Sequence, residues 1–336
     1  VNGAEYFAIN NPDKVTLWGV EDTKLYLDNL NVYRNSLKYK DEVDKHLKTL
    51  SHILNNLKTK IYSKELLQFD TRYSQYKAGD LEFKDYLNYL IQTAKENKIE
   101  IKTFTSIYLL NQTLGEEAKV DFKKANNQRD SLIDQLQKRL SKKSLEELVL
   151  KTVEFKSEKI SQKDFYTYLT KKANLVGMEL NDFPDLAKYI VYISMYNAID
   201  KMKIMDEMDD LEGRIKEALY QNDKQKELSS LSKNLAILKN IFNISLTKED
   251  YKYYTDNKGS FDISNYTAFI DREVPLYKIT AQLDKSISGL DHYREDISKF
   301  YECSFKRDKA FLKNIKFLRT TNNEQRTTIL ITGGFH

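Results

Sequence analysis

Six apolar residues, Val43, Leu47, Leu50, Leu54, Leu57 and Ile61, follow one another at spacings of 4, 3, 4, 3 and 4. That period keeps them on one face of an α-helix and on no single face of a strand, where alternate residues share a side. Over about five turns such a stripe is a coiled-coil-like seam. A lone helix of this length is marginal in water, so the stripe demands an apolar partner. Two more stripes follow the same rule. Ile204, Met208, Leu211, Ile215 and Ala218 form one, and Leu228, Leu231, Leu235, Leu238 and Phe242 form the next, with the polar run YQNDK between them. Two stripes joined by a short polar turn predict an antiparallel helical hairpin.

Punctuation agrees with a mainly helical chain. Ten glycines and three prolines in 336 residues are too few for the turns of a β-rich fold. Gly79-Asp80 marks a helix end, and Phe183-Pro184 a helix start with proline at the first position. Ser144-Leu145-Glu146-Glu147 and Thr247-Lys248-Glu249-Asp250 have the form of capping boxes, which predicts helices beginning there. A helix is expected from Asp22, and a last long one from about Pro275 to Leu318, broken near Ser288-Gly289.

Two short runs break the helical pattern. Val15 to Trp18 and Thr328 to Thr332 favour strands, and each runs into glycine: Gly19 in the first case, Gly333 and Gly334 in the second. A lone strand cannot satisfy its backbone, so both are expected in one sheet. The expected fold class is thus mainly α, with long antiparallel helical hairpins inserted in or capping part of an α/β sheet domain built by the chain ends. Residues 1–36 and 300–336 would make that partial α/β domain, and 37–299 the helical insertion. The chain opens at Val1 without an initiator methionine and closes on a strand-to-turn corner, which reads as an internal piece of a longer protein.

Charge excludes one class of partner. Fifty-four Lys and Arg against 50 Asp and Glu give +4 with the signs interspersed, whereas a nucleic-acid binder concentrates its basic residues. No apolar run approaches a membrane span. Cys303, the single cysteine, permits no internal disulfide and sits mid-helix as a small apolar residue. His46, His52 and His292 read as solvated helix residues. The methionines at 195, 202, 205 and 208 read as core packing.

Chemistry is expected where the two strands end. Ligands bind outside the carboxyl ends of strands in an open parallel sheet. There Glu21 and Asp22 would meet His336, as a metal site or as a general base with its orienting carboxylate. The plainer alternative is that Glu21-Asp22 caps the following helix and His336 is a loop residue.

The C-terminal motifs carry a resemblance. Gly333-Gly334-Phe335-His336, preceded by a helix bearing Arg307-Asp308, resembles the second half of the TraB/ChaN/TIKI-like superfamily, in which an Arg-Asp helix precedes a strand ending in Gly-x-x-His. The order of motifs along the chain also resembles a group of large bacterial proteins. The resemblance implies a site that binds a divalent metal or haem, or that hydrolyses an ester or amide. Glu21, Asp22, Arg307 and His336 would be catalytic, His336 and Glu21 the metal ligands, and Gly333 and Gly334 the cofactor-binding turn. Arg307 would hold an anionic group. The family's first His motif has no counterpart here, so the segment is expected to hold half a site. Export is left open. The second reading, from a different class, is a non-enzymatic helical scaffold that meets a protein partner through its hairpins.

Overall fold

The computed structural model describes residues 3–12 and 17–319, with side chains from Glu5 to Ile315. Helices take up 80% of the described residues, among which no strand forms. The expected α/β sheet domain is therefore corrected: the described residues form a mainly helical fold without a sheet. Leu17 and Trp18, placed in the first strand by their β preference, are irregular and 48% and 55% exposed. A β-favouring run without a neighbouring strand has nothing to pair with, and its propensity does not act alone. Thr328 to Thr332 lies outside the described residues.

In chain order the helices are α1 (Gly3–Asn10), α2 (Thr23–Ser36), α3 (Lys40–Ile61), α4 (Lys64–Ala78), α5 (Phe83–Glu96), α6 (Thr105–Glu117), α7 (Phe122–Arg139) and α8 (Lys142–Lys156). They continue with α9 (Gln162–Leu175), α10 (Pro184–Asn197), α11 (Lys201–Leu219), α12 (Asp223–Phe242), α13 (Lys248–Asp256), α14 (Ile263–Glu273) and α15 (Gly289–Arg319). They form two compact units, Val1–Leu67 with Gln221–His336, and Gln68–Tyr220.

In the first unit the α3 stripe is buried along its whole length, from Val43 to Ile61, and packs against α12. α12 also packs against α15, and α15 lies along α2. The α12 stripe is buried at Leu228, Leu231, Leu235 and Leu238, but drifts at its end. A helix of 3.6 residues per turn falls behind a strict heptad, so Ile241 enters the core and Phe242 is left half-buried. The last long helix starts at Gly289; the expected stretch from Pro275 to Asp284 is not helical, and Lys285–Ser288 makes one 3₁₀ turn.

The second unit holds two cores. Phe69, Tyr86, Leu87, Leu90 and Ile107 from α4, α5 and α6 close around Ile204, Met208, Leu211 and Ile215 of α11. Leu132, Leu136, Leu148, Phe165, Leu169 and Leu186 from α7 to α10 form the other. The stripes of α11 and α12, expected as two arms of one hairpin, are thus buried in two different cores. Their connection is extended, with ψ of 128° at Tyr220 and 166° at Asn222. Each stripe needed apolar cover, and the sequence does not say which surface supplies it. Of the methionines, Met208 is core, whereas Met202 is 79% exposed.

Helix ends show which local signals hold. Gly79 closes α4 at φ +82°, a conformation that disfavours a side chain. Thr247 Oγ accepts from Asp250 N at 3.1 Å, and Pro184 opens α10. The box at Ser144 is preempted: α8 starts three residues earlier, with Ser141 as its cap. Two helices that lack a side-chain cap of their own receive one from elsewhere in their unit. Gln128 Oε1 accepts from Asp185 N and Leu186 N at the start of α10, at 2.8 and 2.9 Å. Glu207 Oε2 accepts from Ser106 N and Ile107 N at the start of α6, at the same two distances. Orphan helix N–H groups require acceptors, and here tertiary packing brings them.

A candidate binding cavity in the first unit

α2 is amphipathic through Leu25, Asn29, Tyr33 and Ser36, residues spaced 4, 4 and 3. Asn29 therefore sits where an apolar residue would be expected, and it is only 1% exposed. Its Nδ2 donates to the buried Ser304 Oγ on α15 at 2.9 Å. Its Oδ1 is buried and has no hydrogen-bond partner. Buried acceptors are rarely left this way, because an unmade hydrogen bond costs about 1–3 kcal/mol.

Asn29 lines a cavity of about 420 Å³ in this unit. Tyr26, Leu30 and Tyr33 from α2, with Leu37 just after it, form one wall, Tyr39, Lys40, Val43 and Asp44 another, and Phe242, Asn243, Ile244, Phe300 and Arg307 complete it. The lining is mostly aromatic and aliphatic, with two cations and one carboxylate.

The walls are held by specific contacts. Tyr39 stacks on Tyr293 at 4.3 Å, and Tyr293 OH donates to Glu42 Oε2 at 3.1 Å. Burial pushes the Tyr39 phenol up to about 12, with Asp296 and Tyr293 adding to the shift, so it stays a hydrogen-bond donor at neutral pH. At the end of α12 the chain turns through Ile244, which adopts φ +54°. This turn satisfies the last helical carbonyls, since Ser245 N donates to Asn240 O at 2.9 Å. The left-handed position usually belongs to glycine, and a β-branched residue there is strained. That strained residue lines the cavity.

Arg307 is the most constrained polar group of the lining. Its Nε and Nη2 donate to Glu21 Oε1 and Oε2 at 3.1 and 2.6 Å. The guanidinium also lies over the Tyr26 ring at 5.3 Å and near the Phe311 ring at 5.9 Å. Asn314 Nδ2 donates to Val20 O at 2.8 Å, fixing the backbone beside Glu21. Nη1 has no acceptor among the described residues.

The expected site residues divide. Glu21 and Arg307 are brought together, by helix packing rather than at the ends of strands, and both Glu21 oxygens are occupied by the guanidinium. Asp22 faces the other way: its Oδ1 accepts from Leu25 N at 3.0 Å and caps α2. His336, Gly333 and Gly334 lie outside the described residues. Among the described residues no group of three or more His, Cys, Asp and Glu is arranged to hold a metal ion. None of the described helices is long and apolar enough to cross a membrane. His46, read as solvated, is 3% exposed and meets Ser286 Oγ at 3.2 Å. It stands three after Val43 and four before Leu50 on the buried face, where it meets a hydroxyl the stripe does not reveal.

No family model matches the chain, and neither a curated protein nor a solved structure matches it.

Proposed function

We propose that this protein is a helical binding module whose recognition surface is the aromatic cavity between α2, α3, α12 and α15. One observation carries the reading: a cavity in the first unit is lined mostly by aromatic and aliphatic side chains, with two cations and the buried Asn29 among them. Three further features support it. A cavity of about 420 Å³ falls within the range of about 300–1,000 Å³ that suits small molecules. Its lining is rich in tyrosine and phenylalanine, and the Tyr39 ring is held by stacking on Tyr293, so it loses little freedom on binding. The strained Ile244 sits in the wall, as strain often does at binding sites.

The test is a titration with 1-anilinonaphthalene-8-sulfonate, using the wild type and a cavity-filling Leu30→Trp variant, with helicity followed by circular dichroism. Saturable one-site binding that Leu30→Trp removes while helicity stays unchanged is the expected result. Equal binding by both proteins would remove the cavity from the account.

A further inference from the structure

We propose that copies of this chain join head to tail, with the outer face of α8 in one copy seated on the outer face of α11 in the next. Both faces belong to the second unit and are independent of the cavity.

α8 turns Leu148 into the core of α7 to α10 and packs on α9. Its opposite side carries Lys142, Glu146, Val149, Val153 and Lys156, spaced 4, 3, 4 and 3, which is one face of a helix. Val149 and Val153 are 52% and 57% exposed, and Leu150 beside them is 57% exposed. Single exposed apolar residues are ordinary, but three adjoining ones along a seam of heptad spacing mark a contact surface.

α11 repeats the pattern. Its inner stripe of Ile204, Met208, Leu211 and Ile215 fills the other core. Its outer stripe is Met202, Asp206, Asp209 and Gly213, at spacings of 4, 3 and 4. Met202 and, at the edge of the stripe, Met205 are exposed, and methionine adapts readily to an incoming surface. Gly213 weakens a helix interior, yet no neighbouring atom stands within 4 Å of where its Cβ would be. The close approach of a facing helix gives that glycine a use.

Charge decides which faces meet. On α8, Glu147 and Glu154 are held by Lys172 and Lys151, each at 2.7 Å. Lys142, Lys143 and Lys156 then stand against Glu146 alone, and none of these four forms an ion pair among the described residues. On α11, Asp210 is held by Arg214 at 3.0 Å, and Lys203 by Glu207 at 3.6 Å. Lys201 lies over the Tyr196 ring at 6.0 Å, and Asp206 and Asp209 have no counter-ion among the described residues. The α8 face is thus basic and the α11 face acidic. Setting α8 on α8, or α11 on α11, opposes like charges, whereas α8 on α11 pairs them. The two helices are buried in different cores, so the match is made between copies. A contact between unlike faces leaves one face free at each end, which is the head-to-tail arrangement.

Sedimentation of the full chain tests this. Two helix faces make a small interface, so the wild type should be monomeric at about 1 µM and heavier at about 100 µM. High salt should lower the assembled fraction, because the pairing charges are exposed. Val149→Asp puts a carboxylate opposite the acidic face, and Met202→Lys an ammonium opposite the basic one. Each variant alone should stay monomeric at the higher concentration, with unchanged circular dichroism. Mixed in equal amounts they should form a dimer and nothing larger, since the first keeps only its α11 face and the second only its α8 face. Should either substitution disturb helicity, Lys142→Glu and Asp209→Lys take their places in the same scheme. A monomeric wild type at the higher concentration, a single variant that still assembles, or a mixture that stays monomeric would each overturn the inference.

Discussion

Arg307 reaches across 286 residues of sequence to close on Glu21, donating to both carboxylate oxygens at 3.1 and 2.6 Å. The pair ties the irregular segment before α2 to α15 and orients the guanidinium at the cavity. Both partners keep some solvent exposure, so the coupling should be modest, about 0.5–1 kcal/mol, and should shrink at high salt. A double-mutant cycle of Arg307→Gln and Glu21→Gln by urea denaturation at low and high salt measures it. Arg307→Lys should not restore the coupling, because an ammonium cannot fork onto two oxygens.

Asp22 acts locally, as the cap of α2. Asp22→Ala should destabilise the protein by about 1 kcal/mol, and Asp22→Ser by much less, since a hydroxyl also accepts from the third residue of a helix. Thermal denaturation of the three proteins checks this. Equal losses in both variants would show that Asp22 does more than cap.

Gln128 caps α10 from another helix, through one oxygen that serves two backbone N–H groups. Gln128→Ala should cost about 1–2 kcal/mol, more than a surface glutamine normally would, because two donors lose their acceptor together. Hydrogen exchange at Asp185 and Leu186 should quicken in the same variant.

Glu212 gives a pH dependence with a definite sign. It is 5% exposed and accepts from Tyr86 OH at 2.8 Å. Burial raises its carboxyl above the ordinary value of 4.5, against the opposing pull of the Tyr86 hydrogen bond, Lys77 and Lys216. The folded state thus holds the Glu212 proton more tightly than the unfolded chain does. Stability is therefore lost as pH rises from 4.5 through the raised folded value. Glu212→Gln keeps an acceptor for Tyr86 and removes the charge. It should stabilise the protein at pH 7, with the gain fading toward pH 4. A gain that is the same at both pH values would contradict this account.

Ile244 should show a trade of stability against binding. Ile244→Gly relieves the left-handed strain, worth about 1 kcal/mol, but opens the cavity wall. The melting temperature should rise while affinity for 1-anilinonaphthalene-8-sulfonate falls. A rise in both would detach the strain from the site.

Period and punctuation carried much of the helical architecture. The α3 stripe, the break at Gly79 and the starts at Asp22, Pro184 and Thr247 are local signals, and local geometry acts on them directly. Partner choice is not local. The stripes of α11 and α12 stand one short turn apart in sequence, yet are buried in different cores, because a stripe specifies only that it must be covered. Leu17 and Trp18 are irregular for a related reason, since strand preference needs a neighbouring strand. Glu21 and Arg307 were legible as polar groups near one site, but the frame that joins them is α2 against α15. Asn29 was missed, because the face of α2 was read from Leu25, Leu30 and Tyr33, and a polar residue buried against Ser304 of α15 leaves no periodic signal.

The central claim is that a small molecule occupies this cavity. The most direct measurement is a crystal structure of the protein with 1-anilinonaphthalene-8-sulfonate. The account predicts the naphthalene ring against Tyr33, Phe242 and Phe300. A ligand bound elsewhere on the protein, with this cavity empty, would contradict it.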